Sequence, residues 1–397
     1  MRFENVFIPY GAYWSSPFSR WEKKLAGANA IEFAADVAAR ALSERGIAPD
    51  AFDSLFLGLT VPQPGAFYGA PWLAARMGAP EITGPTLAQA CATSVRAIAS
   101  AGFEIETGAA DAILAVCADR TSAGPRIWYP DPREPERETP AENWMRANFE
   151  RDPYSGISMI STAENVARAE GIGRREQEEI TLVRYRQYAD ALADGRSFQR
   201  RYMVAPIELA NGAGRLEGDF GVYPTTAESL AALEVRVPGG TITVGTMTYP
   251  ADGNAGLVLA SRERALALSR DPRIEVRLLS FGQARVEKGL MPKATVPAAR
   301  RALERAGLRI EDMTAVKTHN PFAVNDVYFC RSFELAPEAV NRYGSPLVWG
   351  HPQAPTGMRA TIELIEELAI KGGGYGLFSG CAGGDSAAAL VVRVAVK

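Results

Sequence analysis

The sequence predicts an α/β protein built from two related halves, with helices packed between layered, mixed sheets, and three features of its pattern carry that reading. The first is a faint internal repeat. Residues 38–47 and 299–308 superpose without a gap, each a helical stretch closed by a glycine, Gly46 or Gly307, and followed by an acidic turn. A short apolar strand comes next in both copies, at 54–59 and at 315–318. The second feature lies downstream: 93–97 resembles 356–360, each opening a helix that leads into a strand, 112–117 in one copy and 375–381 in the other. Chance similarity between amphipathic segments is the competing explanation; duplication accounts for both matches and for their order. The third feature is a contrast, because between the halves the periodicity stops.

From 121 to 156 the chain is rich in Pro, Arg, Glu and aromatic residues, including Trp128, Tyr129, Trp144, Phe149 and Tyr154, and it reads as a loop excursion. A helix is expected to start at Thr162, and 173–192 reads as a long amphipathic one. The glycine-rich stretch at 239–250 leads back to a strand-like 256–261. The organisation that follows is an N-terminal half at 1–120, an inserted loop domain at 121–245, a return to the first half at 246–270 and a C-terminal half at 271–397. The insert is expected to close over a site made by the two halves.

Composition narrows the function. The 397 residues are 47% hydrophobic and carry a net charge of −3, enough apolar content for a full core and no basic excess of the kind nucleic acid attracts. The opening residues lack the apolar run of a signal peptide, and no later segment approaches the roughly 20 apolar residues needed to span a bilayer. A cytoplasmic protein without membrane association is expected. The four cysteines show no CxxC spacing, so neither a disulfide framework nor a metal site is expected, and the thiols should be reduced.

Only two histidines occur, and both lie where chemistry is plausible. His319 ends the strand at 315–318, and strand ends are where layered α/β proteins place ligands. His351 is held between Gly350 and Pro352 just ahead of a helix. A packing histidine is the bland reading of each. Cys91 precedes a helix expected at 94–105, whose free amides and dipole would favour a thiolate; a small buried core cysteine is the alternative. Cys381 follows an apolar strand and precedes Gly383 and Gly384, where glycine lets the main chain approach a substrate and offer amides to an oxyanion. A plain strand-ending turn explains the same residues. Cys117 occupies the matching strand end of the first half without a double glycine and reads as a structural relic, and Cys330 reads as core.

Taken in order, these segments resemble the thiolase family, whose members make or cleave 3-oxoacyl-CoA thioesters. The resemblance spans essentially the whole chain: Cys91 before its helix, Thr-Ala-Glu-Asn-Val-Ala from Thr162, an Asn/His-x-x-Phe-Ala block at His319, Gly-His-Pro-x-x-x-x-Gly at His351, and a closing Cys-x-Gly-Gly at Cys381. It implies the layered α-β-α-β-α thiolase fold. It also implies roles: Cys91 as the acyl-carrying nucleophile, His351 as the base that activates it, and Cys381 as the acid/base for the α-proton of the second acyl group. His319 would help to hold the thioester oxyanion, and the Gly383 amide would join that of Cys91 in a second oxyanion hole. Such chemistry needs a soft nucleophile and a tuned thiol acid/base but no resident cofactor. Coenzyme A and acetyl-CoA would be substrates, and a homodimer or homotetramer is implied.

Three positions depart from the family pattern. Asn320 stands where the family has glutamate and is followed by Pro321; 249–256 replaces the usual Ala-Gly-Asn-Ala-Ser-Gly loop that touches CoA; and Val222 falls where an arginine is common. The cysteine and histidine blocks look closer to a divergent bacterial branch that includes thiolase subunits of anaerobic aromatic degradation, some of which work with a small zinc-binding OB-fold partner. The aromatic excursion at 128–154 would then line a bulky acyl pocket, dock such a partner, or simply pack a loop domain. Two alternatives to a thiolase stay open: a decarboxylating 3-oxoacyl synthase of the same fold, and a non-catalytic thiolase-like subunit that binds acyl-CoA.

Overall fold

A computed structural model describes residues 1–209 and 214–397. The chain begins with three short strands, β1 (Phe7–Ile8), β2 (Tyr13–Ser15) and β3 (Ser19–Arg20), then helix α1 (Ala30–Glu44), β4 (Ser54–Gly58), α2 (Gly69–Arg76), β5 (Thr86–Leu87), α3 (Thr93–Glu106) and β6 (Ala112–Arg120). The inserted segment holds β7 (Arg126–Ile127), β8 (Glu142–Asn143), α4 (Trp144–Glu150), α5 (Met159–Ala169), α6 (Arg174–Arg196), β9 (Ile207–Glu208), β10 (Arg215–Leu216) and α7 (Ala227–Ala231). Next come β11 (Ala251–Ala260), α8 (Arg262–Leu268), β12 (Ile274–Arg285), α9 (Thr295–Ala306), β13 (Met313–His319), α10 (Ala323–Phe333), α11 (Pro346–Trp349), α12 (Pro355–Ile370), β14 (Gly373–Ala382) and β15 (Ser386–Val396).

The strand order exposes the duplication. In the first half β4 runs parallel to β6, β6 antiparallel to β11, and β11 antiparallel to β2. In the second half β13 runs parallel to β14, β14 antiparallel to β15, and β15 antiparallel to β12. These are the same four-strand arrangement made twice, and β1 bridges them by pairing with both β11 and β12. Helices fill three layers around the two half-sheets. One core joins α1 and α2 to the outer face of the first half, through Ala34, Ala38, Leu73, Leu114 and Val258. A second joins α9 and α10 to the outer face of the other, through Ala298, Ala302, Val316, Val327 and Val391. Between the half-sheets lie α3 and α12, where Ile98, Ile105, Met358, Ile365, Leu257 and Leu390 share a single cluster. Strands covered on both faces must be apolar on both, which explains continuous runs such as β11, buried at every residue.

Local signals explain the elements. Asn29 caps α1 by accepting from the amides of Ile31 and Glu32, and the helix turns its alanine face, Ala30, Ala34, Ala38 and Ala41, into the core. Gly307 closes α9 in the left-handed conformation at φ 70°, as the glycine signal predicts. Gly256 in β11 serves close packing instead: a Cβ there would sit 2.2 Å from the indole of Trp14. Gly256→Val is therefore expected to overpack the core and cost about 3 kcal/mol of stability, measured by urea unfolding. A cost below about 0.5 kcal/mol would mean that the ring moves freely.

Several expectations need correction. The excursion at 121–156 is not a bare loop, since it contains the β7–β8 hairpin and α4. The helix expected to start at Thr162 starts at Met159, because the Ser158 hydroxyl caps it from outside the apolar pattern. The long helix of 173–192 runs to Arg196, with non-helical backbone at Ala193, Asp194 and Gly195. Cys117 lies inside β6 rather than at its end, and Cys381 lies within β14, the turn coming two residues later. Of the stretch 249–256 expected to stand in for the CoA loop, Ala251 onward is the buried strand β11. The inserted segment contains 210–213, which lie outside the described residues.

Helix α12 is buried along nearly its whole length, yet it carries Arg359, Glu363, Glu366 and Glu367. Arg359 makes a two-pronged ion pair with Asp219 of the insert at 2.6 and 2.8 Å and donates to Glu363 at 3.1 Å. Glu363 also accepts from Lys317 and Tyr202, and Glu366 from Tyr10, Tyr13 and Arg201. Pairing of this kind is what allows charges into a core, and here it fastens the inserted segment to the helix that follows His351.

Candidate active site

Cys91 lies in the short connection between β5 and α3, a tight piece of chain in which Ala90 adopts φ 45°. The Thr93 hydroxyl holds this connection by donating to Ala90 O at 2.7 Å and accepting from the Gln89 amide at 2.8 Å. The result places Cys91 one residue before the N-cap of α3, with its own amide and that of Gly383 directed at its sulfur. Burial pushes the thiol up to about 11, against those two amides, while the nearby Asp119 carboxylate adds to the rise. Its Sγ donates to the side-chain oxygen of Gln353 at 3.3 Å.

His351 is pinned from both sides. Its amide donates to Tyr249 O at 2.9 Å and its carbonyl accepts from Ala251 N at 3.3 Å, so the head of β11 fixes its backbone. Gly350 must be glycine: φ is 94°, and a Cβ would lie 2.7 Å from the Tyr249 ring and 2.9 Å from Ala251 Cβ. Nδ1 shares a 2.6 Å hydrogen bond with the Thr356 hydroxyl, whereas Nε2 has no protein partner. Burial lowers the imidazole pKa to about 3. His319, the last residue of β13, packs against it with the rings tilted by 36° and their centroids 4.2 Å apart, and leaves both ring nitrogens unpartnered. Burial, and then the neighbouring His351, holds His319 well below the usual imidazole range.

Cys381 is buried in β14 and accepts from Asn325 Nδ2 at 3.2 Å. Burial drives its thiol well above the ordinary value; the Cys91 sulfur adds to this and the Asn325 amide opposes it. The ligating atoms of Cys91, His319 and His351 lie within 4.8 Å of one another. Among the described residues this is a donor set a soft metal could use, and an ion there would occupy the Cys91 sulfur. With both histidines neutral and the Cys91 thiol shifted upward, alkylation of Cys91 by iodoacetamide should climb with pH toward about 11. A plateau near neutral pH would instead reveal a thiolate–imidazolium pair.

The structure thus brings together all five predicted positions, Cys91, His319, His351, Cys381 and the Gly383 amide. Cys91, His351 and Cys381 line a cavity of about 370 Å³. Its wall is apolar and rich in methionine, with Met145, Met159, Met247, Met291, Phe149 and Phe322. The segment 128–154 is divided in its use. Helix α4 sends Met145 and Phe149 into the cavity wall, while Trp128, Tyr129 and Tyr154 stand exposed. Met247, Thr248 and Pro250, just upstream of β11, also line the cavity, and of the stretch 249–256 Pro250 alone is among the lining residues. Val222 packs beside the buried Phe18 and Trp349 cluster.

Four residues of the site carried no recognised signal. Gln353, two residues after His351, partners Cys91; Asn325, six after His319, partners Cys381; and Thr356 orients His351. Asp119 accepts from the amides of Thr60, Val61 and Ala354 and from the Thr60 hydroxyl, tying the end of β6 to the His351 loop. Burial raises its carboxyl to about 6 against those four donors. The Asn320 departure also has a structural explanation. Its side chain donates to Asp326 at 2.6 Å and to Ser345 at 3.0 Å and accepts from the Leu347 amide at 3.1 Å. Asp326, further bound by Arg184 and Thr318, supplies a carboxylate next to position 320.

A cysteine at a helix start, two neutral histidines and a second cysteine at the meeting of two duplicated α/β halves define a class, the cysteine-dependent acyltransferases of layered fold. The family profile described as thiolase, N-terminal domain, matches residues 13–263, and that described as thiolase, C-terminal domain, matches 273–394. The chain belongs to the thiolase family. It is 30% identical to the 3-oxoadipyl-CoA/3-oxo-5,6-dehydrosuberyl-CoA thiolase of Escherichia coli, over 79% of this chain and 80% of that one. It is 27% identical to an acetyl-CoA acetyltransferase of Syntrophomonas wolfei, over 95% and 96%. Among solved structures, the acetyl-CoA acetyltransferase of Bacillus anthracis superposes with a TM-score of 0.90 at 27% identity, covering 99% of both chains. Human mitochondrial 3-ketoacyl-CoA thiolase in complex with CoA gives 0.88 at 26%, covering 98% of both. The protein is a transferase of the thiolase type, acting in thiolytic cleavage or condensation of acyl-CoA. Neither the synthase nor the non-catalytic subunit is favoured by these relatives. No helix among the described residues is long and apolar enough to cross a membrane.

Proposed function

We propose that the reaction proceeds through an acyl group carried on Cys91. The thiol gives its proton to Nε2 of His351 as Sγ attacks the carbonyl, and the amides of Gly383 and Cys91 receive the developing oxyanion. In the cleavage direction the carbon–carbon bond breaks, and the acetyl-CoA carbanion takes a proton from Cys381. The Cys381 thiolate then takes the proton of a second CoA thiol as that sulfur attacks the acyl-cysteine, and His351 returns its proton to the departing Cys91 sulfur, so that both thiols are restored. In the condensation direction Cys381 removes the α-proton of acetyl-CoA, and His319 and His351 stabilise the enolate. CoA thioesters are substrates in this scheme, in keeping with the CoA complex of the human relative. The observation that carries the reading is the convergence of Cys91, His319 and His351 within 4.8 Å, with Cys381 in the same apolar cavity.

Three further expectations belong to this reading: the domain limits given above, a cytoplasmic location, and assembly with a second copy of the chain. The edge strand β5, which leads directly to Cys91, supports the last of these, since Thr86 is exposed on it and packs against Gly69, which the exposed Phe67 and Tyr68 directly precede. The deciding experiment is intact-protein mass after mixing with acetoacetyl-CoA and with longer and aromatic 3-oxoacyl-CoAs, alongside Cys91→Ser. The expected result is an acyl mass gain that the variant lacks and that CoA reverses. Tight acyl-CoA binding without any adduct would overturn the covalent reading.

A further inference from the structure

Each cysteine of the site touches one buried side-chain amide, and the two contacts have opposite polarity. Cys91 Sγ donates to Gln353 Oε1 at 3.3 Å, whereas Cys381 Sγ accepts from Asn325 Nδ2 at 3.2 Å. The far pole of each amide, Gln353 Nε2 and Asn325 Oδ1, is buried without a partner. Both residues are more than nine-tenths buried, and Gln353 is held at φ 60°, a left-handed conformation that is uncommon outside glycine. A buried amide normally satisfies both poles, so leaving one orphaned on each calls for an explanation. It has one consequence: nothing in the protein fixes which pole faces the sulfur.

We propose that Gln353 and Asn325 are positioning residues that follow the proton through the reaction. Each presents its oxygen to a thiol and, after turning over about its terminal bond, its NH₂ to a thiolate or to an acyl oxygen. Cys91 begins protonated and ends without a hydrogen, either as a thiolate or as an acyl-cysteine. An acceptor locked beside it would repel both products, while an amide can match every state in turn. Cys381 moves a proton in each half-reaction, and the same logic applies to Asn325. Other titratable groups facing Cys91 are His319, His351, Cys381 and Asp119; those facing Cys381 are Cys91 and Asp326. None of them can offer both a donor and an acceptor to the sulfur in rapid alternation without itself changing protonation, apart from the two histidines.

This inference rests on the assignment of Cys91 and Cys381 as the reacting thiols, and its test separates the two. Iodoacetamide alkylation of each cysteine would be followed against pH by peptide mass in the wild type and in Gln353→Glu, Gln353→Met, Asn325→Asp and Asn325→Leu. Formation of the acyl adduct would be timed in the same proteins. A carboxylate keeps the acceptor and removes the donor, so Gln353→Glu should raise the Cys91 midpoint by about one pH unit or more and slow acylation at least tenfold. Gln353→Met, close in volume and lacking both poles, should move the midpoint less. Asn325→Asp and Asn325→Leu should repeat the pattern at Cys381 with Cys91 acylation retained. Identical behaviour of the carboxylate and apolar variants at each position would reduce both residues to packing and overturn the inference. If a carboxylate variant fails to fold, Gln353→Asn, which draws the amide away from Sγ, should mimic Gln353→Met; wild-type midpoints and acylation in it would equally overturn the idea. Absence of any adduct in the wild type would defeat the covalent reading alone, because the alkylation comparison does not need a substrate.

Discussion

Cys381→Ala is expected to lower turnover by about 10³-fold while leaving Cys91 able to take an acyl group. The separation follows from geometry. In the proposed reaction, attack by Cys91 draws on His351 and on the amides of Gly383 and Cys91, all of which a Cβ at position 381 leaves in place. What disappears is the thiol proposed as acid/base, together with the partner of Asn325. Cleavage should stall after the bond to the departing carbanion weakens, and condensation should stall before the carbanion forms. Steady-state turnover of acetoacetyl-CoA would be compared with the mass adduct formed from a simple acyl-CoA, which needs no carbon acid. Turnover within tenfold of the wild type would remove Cys381 from the chemistry, and loss of the adduct as well would mean that the alanine disturbs the Cys91 side. The buried, upward-shifted thiol also predicts that Cys381 resists alkylation at neutral pH more strongly than Cys91, which is partly accessible.

Arg359→Met is expected to cost about 3–5 kcal/mol of stability, the usual result of leaving a buried charge without its partner. Arg359 and Asp219 are both fully buried at the side chain, and their two hydrogen bonds join α12 to the inserted segment. Without the guanidinium, Asp219 keeps Tyr188 and Gln199 as donors, along with the Phe18 amide, but faces no cation. Glu363 would still hold Lys317. Urea unfolding gives the loss directly, and the double variant with Asp219→Asn should recover part of it, since the stranded charge is then gone. A loss below about 1 kcal/mol, or no recovery in the double variant, would show that the pair is not what fastens the insert. Because α12 begins just after the His351 loop, Arg359→Met should also lower Cys91 acylation more than Gly256→Val does, although both weaken the fold.

Much of the architecture was legible along the chain because it depends on local pattern. Glycines at 46 and 307, alanine faces on α1 and α9, and paired strand runs announced two similar halves, and the topology repeats them strand for strand. Element ends were less legible. Ser158 sets the start of α5 by a side-chain contact that apolar spacing does not register, and β6 continues past Cys117 because β11 pairs with it as far as Arg120. The stretch at 249–256 misled for a similar reason. Asp252 and Asn254 look like loop residues, yet they sit in a strand because Ser122 and Thr121 bind the Asp252 carboxylate.

The chemistry divides along the same line. The types of the candidate groups were legible in sequence, since two sparse histidines, a cysteine ahead of a helix and a cysteine beside glycines advertise themselves in one dimension. Which groups touch was decided only by folding: Cys91 and Gln353 are 262 positions apart, and Asp119 and Ala354 are 235 apart. The protonation of those groups was also a tertiary outcome. Burial, more than any neighbour along the chain, pushes Cys91 up to about 11 and His351 down to about 3, because desolvation penalises whichever form is charged. A linear sequence names candidate acids and bases, but only the closed interior determines what surrounds each one and therefore where its proton rests.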